Sequence, residues 1–181
     1  MKRNQTKNLV IAALCLALGI LFPQIFHVFG AGSTFLPMHI PVLLCGLLCG
    51  WQYGALCGFI VPLLSSAFTG MPPMFPTAPA MMLELCTYGA LTGLFYRKQK
   101  WNIYVSLVGA MLAGRVVSGI ANAVFMGIAG KAYGFSAFLT ASFVTAVPGI
   151  VIQLVAVPLV VLCLEKANLM ESPKKAAYQA A

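Results

Sequence analysis

The sequence predicts an all-α integral membrane protein, a compact bundle of six transmembrane helices with both termini in the cytoplasm. Of its 181 residues, 61% are hydrophobic and only 8% are charged, whereas soluble domains are about 45–50% apolar and about 25% charged. The apolar residues fall into six runs, and the basic residues collect at the ends of these runs, as topology signals do. Lipid is therefore the expected solvent, and the +8 net charge does not indicate nucleic-acid binding.

The six apolar runs are residues 9–29, 35–50, 53–68, 78–96, 103–128 and 138–164. A helix needs about 20 apolar residues to cross the ~30 Å hydrocarbon core of a bilayer. The second and third runs are shorter, and Pro37, Pro41 and Pro62 each remove a helical hydrogen bond. We expect these two helices to be tilted, broken or shielded by their neighbours.

Glycines recur at four-residue intervals in the second to fourth runs. This spacing of small residues lets helix backbones approach closely, so it predicts tight packing within the bundle. The stretch GWQYG, residues 50–54, is instead interpreted as a tight cytoplasmic turn. The spaced glycines are Gly46, Gly50, Gly54, Gly58, Gly89 and Gly93.

The distribution of Lys and Arg predicts the orientation, because cytoplasmic loops carry the excess of these residues. With the N-terminus inside, nine cationic residues are cytoplasmic and only Lys131 lies outside. We therefore expect one six-helix transmembrane domain over residues 1–181, with cytoplasmic tails at 1–8 and 166–181. The nine are Lys2, Arg3, Lys7, Arg97, Lys98, Lys100, Lys166, Lys174 and Lys175.

The outer connection at residues 70–79 contains four prolines in ten residues. Proline fixes φ near −65°, so this loop is expected to be stiff. It carries Met71, Met74 and Phe75, which suit a lid or a pocket wall. A plain connector is the alternative. His27 and His39 flank the other outer loop and are interpreted as hydrogen-bonding residues at the membrane interface.

Two charged residues, Glu84 and Arg115, lie inside apolar runs. A charge at the bilayer centre costs about 2.5–3.5 kcal/mol on insertion scales, and such residues usually mark functional sites. At ~1.5 Å per residue, Glu84 and Asn122 are expected about 9 Å below the outer boundary. Arg115 and Gln153 are expected about 20 Å below it.

Helical spacing places several polar groups together. Arg115, Ser118 and Asn122 share one face of their helix, and Tyr88 lies one turn from Glu84. One interpretation is an outward-facing solute cavity with Glu84 and Asn122 at its mouth, Arg115 and Gln153 at its floor and Phe75 near its entrance. The other is a structural ion pair between Glu84 and Arg115. The depth difference of about 10 Å counts against direct contact and favours the cavity.

The sequence offers little support for catalysis. It contains no Ser-His-Asp order, no His-Glu-x-x-His and no phosphate-binding loop. None of the six cysteines forms a Cys-x-x-Cys pair, and they are expected to be small buried hydrophobes. We expect no metal, no cofactor and no enzymatic activity.

Two further patterns relate the chain to a known family. Residues 13–17 read ALCLA, with Ala13 and Ala17 four residues apart, and match an Ala-x-x-x-Ala motif. Residues 35–46 read FLPMHIPVLLCG, and residues 70–73 read GMPP. With six short helices and a polar outer pocket, nearly the whole chain resembles the substrate-binding S components of energy-coupling factor (ECF) vitamin transporters. The stretches at residues 35–46 and 70–73 resemble a branch that includes pantothenate-type S components.

The resemblance implies a multi-pass subunit of the bacterial cell membrane that binds a vitamin-like solute in an outward-facing pocket and delivers it by toppling. A transmembrane coupling protein would dock on Ala13 and Ala17, and two cytoplasmic ATPases would hydrolyse ATP. Arg115 suits the carboxylate of pantothenate, whereas Glu84 suits hydroxyl or amide donors, or a cationic heterocycle. Alternatives are a queuosine-precursor, pyrimidine, folate or cobalamin type, or a structural membrane subunit without a substrate.

Overall fold

The computed structural model describes residues 2–28, 37–130, 134, 140 and 144–167. Within these residues the fold is helical and contains no strand, which confirms the predicted all-α class. A π-helical turn, Leu94–Lys98, continues the fourth helix. The helices are α1 Lys2–Val28, α2 His39–Cys49, α3 Trp51–Thr69, α4 Thr77–Gly93, α5 Ile103–Ile128 and α6 Val147–Lys166.

Four of the described helices are long and apolar enough to cross a membrane, namely α1, α3, α5 and α6. The 11 residues of α2 rise only about 16 Å, so the expected shortness of the second run is confirmed. Nine of these 11 residues are buried, because α2 packs against α1, α3, α4 and α6. A helix too short to span the bilayer is thus shielded by its neighbours.

The expectation of a short third helix was wrong, because α3 contains 19 residues. The predicted turn over residues 50–54 is confined to Gly50, whose φ of 101° lies in the region that glycine tolerates. Its N–H donates to the carbonyl of Gly46 at 3.0 Å. Helix α3 starts at the next residue, so the rest of the stretch is helical.

The spaced glycines bring α2, α3 and α4 into backbone contact, as predicted. A Cβ added to Gly54 would meet the carbonyl of Gly89, and a Cβ on Gly58 would meet that of Leu85. A Cβ on Gly93 would meet the backbone of Trp51. Larger side chains would separate these helices, so the close approach depends on glycine.

One end of the bundle joins the start of α1, the end of α2, the end of α4 and the end of α6. The thiol of Cys49 donates to the carbonyl of Asn8 at 3.4 Å. Arg97 donates through Nη1 to the carbonyl of Leu48 at 2.6 Å. Tyr96 donates its hydroxyl proton to Glu165 at 3.0 Å. The first and last helices therefore begin and end at the same end of the molecule.

Candidate functional site

A polar cluster lies inside the bundle, where α2, α4 and α5 meet. Its centre is Glu84 on α4, a carboxylate that is only 4% exposed. One oxygen, Oε1, lies 3.1 Å from Nη1 of Arg115 and accepts the hydroxyl proton of Tyr88 at 3.0 Å. The same oxygen lies 3.6 Å from Nε2 of His39, which is too long for a hydrogen bond. We call these four residues the polar cluster.

The position of each residue of the polar cluster follows from the sequence of its helix and of the neighbouring helices. Glu84 and Tyr88 are four residues apart on α4, so they share a face. Gly114 on α5 leaves room for Tyr88, since a Cβ there would collide with the tyrosine ring. His39 is the first residue of α2, and its ring centroid lies 5.3 Å from that of Tyr88, at an interplanar angle of 58°.

The expected 10 Å difference in depth between Glu84 and Arg115 was wrong. It assumed that α4 and α5 reach the outer boundary at the same height. The ring of Phe75, just before α4, lies 6.3 Å from the ring of Phe125 on α5. Glu84 is nine residues below Phe75 and Arg115 is ten residues below Phe125, so both lie about 14 Å from this contact. Helix α5 simply extends farther than α4 at this end of the bundle.

Several buried polar atoms near or within this region have no hydrogen-bond partner among the described residues. They include Nε and Nη2 of Arg115, both ring nitrogens of His39 and both amide atoms of Gln153. These side chains are 7%, 1% and 0% exposed, respectively. Buried polar groups are normally hydrogen-bonded, and an unmade bond is expensive. The unpaired atoms on Arg115 and His39 therefore make the polar cluster a candidate binding site for a polar molecule.

Gln153 lies on α6, which packs against α2 and α5. Its complete burial agrees with the predicted position inside the bundle rather than at the lipid face. Its contact with a solute stays a prediction.

Asn122 is bonded within its own helix. Its Nδ2 donates to the carbonyl of Ser118 at 2.9 Å and to the Ser118 hydroxyl at 3.3 Å. Ser118 is buried and Asn122 is half-buried, so the predicted shared face of Arg115, Ser118 and Asn122 is confirmed. Asn122 lies about two turns from Arg115 along α5, toward Phe125, and its role toward a solute stays a prediction.

The proline-rich loop before α4, which is predicted to lie outside, is held by hydrogen bonds to the end of α3. The hydroxyl groups of Ser65 and Thr69 donate to the carbonyl of Met71 at 2.8 and 3.1 Å. Phe75 is 50% exposed, although the edge contact with Phe125 fixes its ring. The loop is therefore attached to α3 and α5 above the polar cluster, which suits the pocket-wall role but does not test it.

Ala13 and Ala17 are exposed on the outer face of α1. The opposite face packs inward, where Cys15 is buried and a Cβ on Gly19 would lie 3.0 Å from Val61. Exposed Leu9 and Leu21 continue the alanine row in both directions. The row forms a shallow notch of two alanines between bulky side chains.

Sequence reasoning missed His39 as a member of the site. It was interpreted as an interface residue, but it is buried beside Glu84; the side chain of His27 lies outside the described residues. The available signal was its position at the start of a run that is otherwise apolar, within the stretch FLPMHIP. A polar side chain in such a run needs an internal partner, just as Glu84 does.

Comparison with known proteins agrees with this architecture. No curated protein and no solved structure matches the chain. The family model described as "ECF transporter, substrate-specific component" matches residues 7–161. This range contains the polar cluster, the alanine notch and all of the helix contacts described above except those of Glu165. The chain therefore belongs to the family of substrate-specific components of ECF transporters.

Proposed function

We propose that this membrane subunit binds a small carboxylate solute, with pantothenate as the leading candidate, at the polar cluster. Membership of the family makes the chain a substrate-specific subunit of an ECF importer. The single observation that supports a carboxylate is the unpaired edge of Arg115, formed by Nε and Nη2.

The guanidinium group of arginine has two usable edges for bidentate binding. Glu84 contacts Nη1 of Arg115, whereas Nε and Nη2 lie side by side on the other edge and have no partner among the described residues. Two parallel N–H groups match the two oxygens of a carboxylate. Glu84 thus holds Arg115 in place, and the free edge is presented to the solute.

A purely structural ion pair explains the observations less well. The Glu84–Arg115 contact fits that alternative, but a buried pair is stabilising only when its remaining donors and acceptors are also satisfied. Two donors on Arg115 and both nitrogens of His39 are unpaired within the described part of the chain. A bound solute with several acceptor oxygens would satisfy them.

The rest of the transport cycle follows from the family. We propose that the chain is a single six-helix domain of the bacterial cell membrane, with both termini cytoplasmic and the solute site open to the outside. The coupling protein docks on the notch formed by Ala13 and Ala17, and the two ATPases then drive toppling. The exposure of both alanines supports this docking face.

Mass spectrometry of the purified protein tests the proposed solute. Protein expressed in rich medium should carry a stoichiometric small molecule with a carboxylate group, and added pantothenate should compete with it. A co-purified cationic heterocycle would contradict the proposal. Protein that carries no ligand and binds no vitamin-like solute would support the structural alternative instead.

A further inference from the structure

The charge of the polar cluster suggests how it accommodates an anion. Glu84 and Arg115 carry opposite charges and lie 3.1 Å apart, so together they are neutral. A solute carboxylate would bring a negative charge into a site whose side chains are at most 8% exposed. A buried net charge is strongly disfavoured unless a counter-charge accompanies it.

His39 can supply this counter-charge by taking up a proton. Its Nε2 lies 3.6 Å from Oε1 of Glu84, and both ring nitrogens are unpaired among the described residues. A neutral imidazole carries one N–H, whereas a protonated one carries two. Protonation would let Nε2 donate to Glu84, with a bond of about 2.7–2.9 Å after a small shift. Nδ1 would then be a second donor, available to the solute.

We propose that His39 takes up a proton when an anionic solute binds, so that solute binding is coupled to protonation of the site. This inference rests on the carboxylate solute proposed above. It adds His39 to the binding residues as the group that balances charge, with Arg115 as the group that contacts the carboxylate. Histidine is suited to the task because protonation gives it both a positive charge and a second N–H donor.

Glu84 is the alternative proton acceptor, but protonation would weaken the contact of its carboxylate with Arg115. Glu84, Tyr88 and Arg115 face His39 from α4 and α5. Among the described residues, α3 carries no charged side chain, and Arg97 in the π-helical turn bonds to Leu48, nine residues along α2. The charged residues described on α1 and α6 lie at that same distant end, namely Lys7, Glu165 and Lys166.

Isothermal titration calorimetry tests the proposal directly. Pantothenate is titrated into the purified full-length protein at pH 7.5 in phosphate and in Tris, whose ionisation enthalpies differ. The difference in heat gives the number of protons taken up, and we expect a value approaching one. Because one proton is taken up, affinity should fall as the pH rises, by up to tenfold per pH unit. Pantothenol, in which an alcohol replaces the carboxylate, should take up no proton.

The variant His39→Gln separates His39 from Glu84 as the proton acceptor. We expect it to bind pantothenate more weakly, because no counter-charge is supplied, with no proton uptake and with an affinity independent of pH. Retained uptake in this variant would place the proton on Glu84 and overturn the proposal. If His39→Gln does not fold, His39→Asn replaces it, and zero uptake by the unmodified protein is by itself sufficient to overturn the proposal.

The two proposals fail in different ways. Pantothenate binding without proton uptake would overturn the role of His39 and leave the carboxylate site intact. A protein that binds no carboxylate solute at any pH would overturn both. Glu84→Gln gives a further expected result: because the site then has a spare positive charge, binding should persist without proton uptake.

Discussion

At the residue scale, Glu84 and Arg115 have separate tasks although they form one ion pair. Glu84 uses a single oxygen to hold Arg115 and Tyr88. Arg115 uses one nitrogen in this contact and keeps a two-donor edge unpaired among the described residues. In the proposed function the pair supports a binding group, so substitutions should affect stability and affinity in different proportions.

Arg115→Ala should weaken pantothenate binding by more than tenfold, about 1.4 kcal/mol, because the carboxylate loses its donor fork. It should also destabilise the fold, since removing one partner of a buried pair typically costs about 3–5 kcal/mol. The double variant Arg115→Ala/Glu84→Gln should regain thermal stability without regaining affinity. Melting temperature and affinity are measured on the same samples.

Arg97→Ala is the matched control, because it removes an arginine at the far end of the bundle. Arg97 bonds the carbonyl of Leu48, so its loss should lower the melting temperature while affinity stays unchanged. A stable, monodisperse Arg115→Ala protein with unaltered affinity would refute the assignment of the carboxylate site.

Gly114→Ala should displace Tyr88 from Glu84. The added methyl group would collide with the tyrosine ring, and overpacking a close contact typically costs about 1–3 kcal/mol. We expect a lower melting temperature and weaker pantothenate binding, both measured on the same samples as for Arg115→Ala. Gly127→Ala, on the same helix with nothing within 4 Å of the added atom, should change neither quantity. Equal effects of both substitutions would indicate a general effect on α5 instead.

At the element scale, the two faces of α1 have different surroundings. Its inner face packs on α2 and α3, whereas the alanine notch is exposed. Small residues at a four-residue spacing allow another helix to approach closely. This division predicts that transport and solute binding can be separated by substitutions on the outer face alone.

Ala13→Leu or Ala17→Leu should reduce transport by at least tenfold in vesicles that contain the coupling protein and ATPases, because leucine fills the notch. Solute binding by the isolated subunit should be unchanged. Ala123→Leu places the same side chain at an exposed position on α5 and should leave transport intact. An equal loss of solute binding in the α1 variants would instead indicate a role in folding or in the pocket.

At the scale of the whole molecule, sequence patterns predicted helices better than relations between helices. The predicted bounds of α5, residues 103–128, match the structure, because hydrophobicity and length define a helix locally. The relative heights of α4 and α5 depend on contacts such as Phe75 with Phe125 and Tyr88 with Gly114, which link residues far apart in sequence. The Glu84–Arg115 contact was therefore misjudged although both residues were correctly singled out.

The burial of His39 illustrates the same limit. The apolar pattern of the sequence placed His39 near the end of a helix, which is commonly an exposed position at a membrane interface. Because α2 is short and enclosed by four other helices, its first residue lies inside the bundle. To predict which residue on another helix a polar side chain contacts, one must know how the helices pack. The spaced glycines predict that helices approach closely, but not which residues then face each other.

Chemical labelling of introduced cysteines tests the membrane orientation of the whole bundle. The excess of Lys and Arg at one end predicts that this end is cytoplasmic. In a cysteine-free background, Lys98→Cys should be inaccessible to an impermeant maleimide added to intact cells, because it lies at the end that joins Arg97 and Leu48. Met74→Cys, exposed in the opposite loop, should be labelled without permeabilisation.

Permeabilisation should make both positions reactive, which controls for local shielding. Labelling of position 98 but not position 74 in intact cells would reverse the orientation and place the loop at residues 70–79 on the cytoplasmic side, a result incompatible with uptake from outside.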